Sequence, residues 1–444
     1  TDPDTGNTVD MATMIHKIHR GKDLPSVVAG GKYVIVGNQQ SVHDYSHVGF
    51  SAYGGVANCT SCHEQGKGAA QENAWLNPSR RACGSCHDNV NFASGQGHAT
   101  GLPQVSDNQC ANCHRPEGEL EFDASIKGAH TVPIFSRDLP GLVFEINGIT
   151  NNAAGQRPTV TFTLKDREGR GLAMADVPRL ALVLAGPTSD YTTYVTEDPR
   201  TQATGGQDGR YTYTFTAPIP AGAKGTFTVG IEGYRQFTLL AGTQKEMTVR
   251  DAGMNKTLSF SVDGSQLAQR RQIVSLDKCN ACHSFLSLHG NNRNTVDQCV
   301  LCHNPKTTDN AVRPVTDRPA ESIEMSVMIH RIHAGNQQTR DYSIYGRGST
   351  KYNYNDIGYP GRLQNCNGCH VNNSQQLPLA STETITDPRG LINPVLRTAA
   401  ACTGCHTSVA AASHALANTT TLGESCAACH GLNSSYSVNR AHAQ

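Results

Sequence analysis

Hydrophobic positions along this chain obey two different rules. From about 132 to 268 they alternate with polar ones, in Leu142-Val143-Phe144-Glu145-Ile146, Thr159 to Leu164, Leu180 to Leu184, Tyr211-Thr212-Tyr213-Thr214-Phe215, Phe227-Thr228-Val229, Met247-Thr248-Val249 and Leu258-Ser259-Phe260-Ser261-Val262. Period two in runs of this length predicts half-buried strands. Asn147-Gly148, Asp166-Arg167-Glu168-Gly169, Asp208-Gly209 and Asp263-Gly264 punctuate them as turns. About seven short antiparallel strands predict a sandwich or Greek-key barrel. Outside this segment periodicity is weak, and Gly-, Asn- and Ser-rich connections predict loops with short helices. One such helix is Met11 to Arg20, where Met11, Met14, Ile15 and Ile18 recur at helical spacing and place His16 and His19 as surface neighbours. The chain therefore divides into 1–131, 132–268 and 269–444: loop-rich, mostly-α segments flanking an all-β one.

The two outer segments are copies of each other. Met14-Ile15-His16-Lys17-Ile18-His19-Arg20-Gly21 matches Met328-Ile329-His330-Arg331-Ile332-His333-Ala334-Gly335. Each is followed by three C-x-x-C-H motifs: Cys59-Cys62-His63, Cys83-Cys86-His87 and Cys110-Cys113-His114 in the first copy, and Cys366-Cys369-His370, Cys402-Cys405-His406 and Cys426-Cys429-His430 in the second. The second copy carries two more ahead of its Met-Ile-His element, Cys279-Cys282-His283 and Cys299-Cys302-His303. In C-x-x-C-H two thiols form thioethers to haem vinyl groups, and the histidine supplies an axial nitrogen to the iron. Paired C-x-x-C units could instead hold zinc. Zinc does not explain a histidine after every pair, so the expected cofactor is haem c, eight in this sequence.

Composition changes the picture in two ways. Of 444 residues only 37% are hydrophobic and 6% aromatic. That is thin for this length, and buried porphyrins would supply the missing apolar surface, so folding and haem attachment should be coupled. The eight motifs use all 16 cysteines, which leaves none for a disulfide or lipid anchor. Formal charge is zero, so no basic surface points to nucleic acid. No apolar run approaches the length of a membrane span. Haem is attached to such motifs outside the bacterial inner membrane, so export is expected. The start at Thr1 reads as a processed or partial sequence.

The histidine count supplies the second axial ligand. Eleven histidines lie outside the motifs. The second copy holds five, His289, His330, His333, His414 and His442, for five haems. His98 and His130 match His414 and His442 by position, and His16 and His19 match His330 and His333. These nine are the candidate distal ligands. His43 and His47 lie in Val42-His43-Asp44-Tyr45-Ser46-His47, which aligns with Thr339-Arg340-Asp341-Tyr342-Ser343-Ile344 and meets no histidine there. Both are read as surface residues. The first copy then has four distal candidates for three haems. One of His16 and His19 should therefore ligate none of these three haems, being either unliganded or bound to a haem from a chain segment or subunit outside this sequence, and the complete protein should carry ten.

The C-x-x-C-H repeats, the Met-Ile-His-x-Ile-His-x-Gly element and the intervening β segment resemble the extracellular decahaem cytochromes of metal-reducing bacteria, the outer-membrane MtrC/OmcA type. That family alternates two β domains with two pentahaem domains. The resemblance implies an N-terminally incomplete member with a split-barrel β domain and bis-histidine haems. It also implies a place on the outer face of the outer membrane, or secretion, with electrons arriving through a porin–cytochrome conduit or other multihaem cytochromes. Mineral surfaces, chelated iron and flavins are the implied acceptors. The cysteine pair found in the β domain of some relatives is missing here. Two alternatives stand beside this reading. An octahaem enzyme of nitrogen-compound redox chemistry, which would be periplasmic, needs one open iron position, and no shortage of distal histidines signals one. A filament subunit would self-associate through stacked haems.

Overall fold

The computed structural model describes residues 1–444 except 50–54, 58, 60, 61, 64, 65, 67, 69, 70, 100, 360, 381, 382, 421, 443 and 444. They pack as two units. The first is Thr1–Ser136 with Asn280–Ser284 and Asp356–Arg362; the second is Arg137–Cys279, Phe285–Asn355 and Leu363–Gln444.

In the second unit the alternating segment forms nine strands: β1 Val143–Thr150, β2 Thr159–Lys165, β3 Arg179–Gly186, β4 Thr193–Glu197, β5 Thr204–Gly205, β6 Arg210–Thr214, β7 Thr226–Leu239, β8 Met247–Ala252 and β9 Lys256–Ser261. One antiparallel sheet has the order β1-β2-β6-β5. The other has the order β8-β7-β3-β4, and β9 also pairs with β7. β7 is long enough for both: Leu239 to Tyr234 pair with β8, and Ile231 to Thr226 with β9. Inward residues of both sheets, among them Phe144, Phe162, Leu164, Leu182, Phe215, Val229 and Ile231, share one core. Seven strands coincide with the period-two runs. β4 and β5 are additional, for their residues are largely exposed and carry no alternation to read.

The expected boundary at 268/269 does not separate two packed bodies. Val183 and Ala185, on the face of β3 turned from the β core, and Tyr191, beyond the end of that strand, bury against Val300 and Leu301 of the helix Val296–Cys302. Helices Met325–Ala334, Arg397–Thr403, Val409–Ala417 and Val438–His442 belong to the same unit, held partly by a cluster of Val327, Ile385, Val395, Ala399 and Ala400. Among the described residues no helix is long and apolar enough to cross a membrane.

In the first unit the helix Met11–Arg20 forms at the expected residues, capped by Asp10, whose carboxylate accepts the Thr13 N–H. It packs on a hairpin of Val34–Val36 and Val42–Asp44 over a small core of Leu24, Tyr33 and Ile35. The second unit repeats this hairpin as Ser343–Gly346 with Thr350–Asn353. Tyr33 faces Tyr45 as Tyr342 faces Tyr354, and the Tyr33 N–H donates to Ser46 as the Tyr342 N–H donates to Asn355. Tyr33, not Tyr45, is thus the counterpart of Tyr342. The alignment on Asp-Tyr-Ser was out of register: His43, opposite Ile35, corresponds to Tyr352, opposite Ile344. His43 is exposed, beside Ser41 and the Tyr45 ring.

Candidate haem centres

Seven of the motifs fold as one turn of helix, and in the eighth the described residues Cys59, Cys62 and His63 keep its closing bond. The histidine N–H donates to the carbonyl of the first cysteine in Cys59–His63 (2.9 Å), Cys83–His87 (2.9 Å), Cys110–His114 (2.8 Å), Cys299–His303 (3.0 Å), Cys366–His370 (2.9 Å) and Cys402–His406 (2.9 Å). Cys279–His283 closes the helix Leu276–His283, and Cys426–His430 is itself a short helix. At this spacing the thiols at i and i+3 and the imidazole at i+4 share one face. Among the described residues no three His, Cys, Asp or Glu side chains converge as a bare metal site requires. The zinc reading therefore finds no cluster.

The motif histidines face other histidines instead. Ring centres are 6.1 Å apart for His16 and His63, 6.3 Å for His87 and His130, 6.1 Å for His98 and His114, and 6.0 Å for His289 and His303. They are 6.1 Å apart for His330 and His370, 5.9 Å for His406 and His442, and 6.2 Å for His414 and His430. Hydrogen-bonded or stacked imidazoles would sit closer. Two imidazoles bonded trans to one metal, at about 2.0 Å per metal–nitrogen bond, place their ring centres roughly 6 Å apart.

In eight of the histidines the other ring nitrogen is tied to a backbone carbonyl, whereas, among the described residues, Nδ1 of His16 and of His330 is buried without a hydrogen bond. Nδ1 donates to a backbone carbonyl from His63 (Gln71, 2.9 Å), His114 (Ala124, 3.1 Å), His303 (Ile323, 2.8 Å) and His430 (Tyr436, 2.9 Å). His19, His130, His333 and His442 each donate to the carbonyl four residues back, at 2.7 to 2.8 Å, to Ile15, Ile126, Ile329 and Val438. A carbonyl only accepts, so Nδ1 carries the proton and Nε2 keeps a bare lone pair. Ligating histidines are usually held this way. Burial pushes His289 and His370 down to about 4, which keeps both imidazoles in the neutral form that binds a metal. Ring spacing, tautomer and neutrality all fit haem iron.

Of the seventeen histidines singled out in the sequence, fourteen fall in these pairs. His19 and His333 sit on the paired helices beside His16 and His330, and His283 ends its own helix. The carbonyl tethers could not be read in advance except at His19 and His333, where the Met-Ile-His helices imply an acceptor four residues back.

Eight C-x-x-C-H motifs, seven of whose histidines face a second imidazole, define a multihaem c-type cytochrome. Residues 1–127 and 271–443 match the family described as outer membrane cytochrome MtrC/MtrF-like, domains II/IV. The chain belongs to that family, and the match brackets the β segment. It is 24% identical over 349 residues to the multiheme cytochrome MtrC of Shewanella baltica (strain OS185), covering 65% of this chain and 52% of that protein. The chain thus spans about half the length of that curated relative. The crystal structure of the outer membrane decaheme cytochrome OmcA superposes with a TM-score of 0.65 at 20% identity, over 100% of this chain and 69% of the other. MtrC from Shewanella baltica OS185 gives 0.59 at 19%, over 97% and 68%. At these identities the likeness establishes the fold.

Proposed function

We propose that this chain conducts electrons at the outer face of the outer membrane, or in secreted form, toward extracellular acceptors: metal oxides, chelated iron and flavins. The observation that carries the proposal is the set of facing histidine pairs at 5.9 to 6.3 Å. Haem iron with both axial positions filled by imidazole exchanges electrons with little change of geometry and offers no open site for substrate. The residues assigned to hold the haems are Cys59 and Cys62, Cys83 and Cys86, Cys110 and Cys113, Cys279 and Cys282, Cys299 and Cys302, Cys366 and Cys369, Cys402 and Cys405, and Cys426 and Cys429. His63, His87, His114, His283, His303, His370, His406 and His430 are the proximal ligands. The seven facing histidines are assigned as distal ligands, and His19 and His333, on the helices that carry His16 and His330, are assigned distal roles as well. A porin–cytochrome conduit or another multihaem cytochrome is the proposed donor. We assign the haem-free segment 132–268 to a Greek-key β domain of split-barrel type.

The test is spectroscopic. All eight irons of the intact protein should be low-spin and six-coordinate, with midpoints mostly below zero, since imidazole pairs without methionine favour the ferric state. His289→Ala and His414→Ala should each convert one haem of eight to high-spin without loss of covalent attachment. A wild-type spectrum dominated by high-spin ferric haem, or carbon monoxide binding by the untreated protein, would refute the reading. Reduced protein should then pass electrons to ferric citrate and flavin.

A further inference from the structure

Glu232 lies within β7, in a segment that holds neither cysteine nor histidine, and its side chain is 0% exposed. A buried carboxylate persists only where its charge and lone pairs are met. Here Oε1 accepts from Arg293 Nη2 (2.9 Å) and Asn292 Nδ2 (3.2 Å), and Oε2 accepts from Arg293 Nε (2.8 Å) and Gln298 Nε2 (2.9 Å). Arg179 Nη2 lies 3.5 Å from Oε1.

These donors come from both sides of one histidine pair. Asn292 and Arg293 follow His289 in a tight loop closed by mutual backbone bonds between Leu288 and Arg293 (2.9 and 3.3 Å). His289 itself has φ 53°, a left-handed conformation that a residue with a side chain keeps only when its surroundings impose it. Gln298 precedes Cys299 on the helix that ends at His303. Gly230, two residues along the strand, shows how close that helix comes: a Cβ there would meet Gln298 Oε1 at 2.2 Å and Leu301 Cδ1 at 2.7 Å. The two imidazoles whose supports meet at Glu232 are the pair 6.0 Å apart.

We propose that Glu232 is a positioning residue for the haem held by Cys299, Cys302 and His303. One carboxylate fixes both the loop that delivers His289 and the helix that delivers His303, so the β segment is a working part of that centre. The proposal rests on the histidine ligation inferred above. No pattern in the sequence marks Glu232, which sits among alternating strand residues.

Glu232→Gln keeps the shape, replaces one acceptor oxygen by a donor and removes the charge facing Arg293. Mass spectrometry of the holoprotein should still count eight haems. One haem of the eight should gain carbon monoxide binding in the reduced protein and lose its low-spin signature. Its midpoint should rise, because a buried negative charge that favoured the ferric state is gone, while the other seven stay in place. Glu232→Asp, which keeps the charge, should restore the midpoint more than it restores resistance to carbon monoxide. A Glu232→Gln protein that merely melts earlier, with eight unchanged midpoints and no carbon monoxide binding, would overturn the proposal. Should that variant not accumulate, Arg293→Lys breaks the fork from the loop side and must give the same one-haem signature; wild-type behaviour there also overturns it. Carbon monoxide binding by the wild-type protein would bring down the ligation reading with it, whereas failure confined to the variants brings down the role of Glu232 alone.

Discussion

The two copies hold their histidines alike and support them differently. Ring centres are 6.1, 6.3 and 6.1 Å apart in the first copy and 6.1, 5.9 and 6.2 Å in the second, for corresponding pairs. Yet the helix Met11–Arg20 has no buried residue, whereas Met325–Ala334 buries Val327, Met328, Arg331 and Ala334. Where the first copy has Lys17 over the Tyr33 ring and ion-paired to Asp88 (2.8 Å), the second has Arg331 over Tyr342, its Nη2 donating to the carbonyls of Arg340 and Asp341. What stays constant is local: a helical turn, a carbonyl four residues back, a tyrosine-lined hairpin. In the three pairs that the copies share, ring spacing is kept by such local supports while the surrounding packing diverges.

The sharpest contrast lies at the helix starts. Asp10 caps Met11–Arg20 and pairs with Arg81; Glu324 caps Met325–Ala334 and pairs with Arg397 at 2.6 Å. Each arginine comes from the first turn of a helix that carries a haem cysteine, Cys83 or Cys402. Arg81 is 60% exposed, but Arg397 is 7% exposed and also reaches Asp190 at 3.0 Å. Removing one partner of a buried pair strands the other charges, at a cost of about 3–5 kcal/mol, while solvent screens an exposed pair. Arg397→Ala should therefore lower the melting temperature of the holoprotein by many degrees, and Arg81→Ala should barely move it. Equal losses in calorimetry would mean that burial does not separate the copies.

The copies should also differ in acid response. Hydrogen bonding from the Thr13 N–H, with help from Arg81, lowers the pKa of Asp10, so its contribution to stability is present above the unfolded value and is lost as pH falls through the folded one. Glu321 of the second copy goes the other way. Burial pushes it up to about 7 although Arg340, Arg331 and Arg389 oppose the shift. Its contribution is present below the unfolded value near 4.5 and is lost as pH rises toward 7. At roughly 1.4 kcal/mol per pKa unit, the loss is on the order of a few kcal/mol. Glu321→Gln should flatten stability between about pH 4.5 and 7 in urea titrations. A stability difference between wild type and Glu321→Gln that fails to fall through that window would contradict the assignment.

How much of this was legible follows from where the signals sit. The C-x-x-C-H turns and the Met-Ile-His helices announce themselves because covalent chemistry and helical spacing constrain neighbouring residues. Counting histidines against haems points to His414 and His442, and matching the copies by position points to His98 and His130; the structure sets all four opposite motif histidines. The hairpin register did not follow, because a three-residue match, Asp-Tyr-Ser, outweighed the weaker pairing of Tyr33 with Tyr342. β4 and β5 lack alternation. Glu232, Asp190 and Arg397 act through partners up to about two hundred residues away, as Arg397 and Asp190 are, and a single sequence carries no mark of such pairs.

The smallest effect tests the local tethers themselves. In the first copy His63 donates to the backbone carbonyl of Gln71, which no side-chain substitution removes. Its counterpart His370 instead donates to Ser374 Oγ at 3.0 Å. The serine hydroxyl has its proton committed to the Ile273 carbonyl at 2.6 Å, so towards His370 it can only accept. Such a bond makes the imidazole a stronger donor and favours ferric iron. Ser374→Ala should therefore raise the midpoint of the haem at Cys366 and leave the haem at Cys59 untouched. One hydrogen bond is worth about 1 kcal/mol, which at about 59 mV per tenfold for one electron corresponds to roughly 40 mV. Ser374→Thr keeps the hydroxyl and should keep the potential. A shift shared by several haems would mean that the change acts through packing, and no shift at all would mean that the tether orients His370 without tuning its iron.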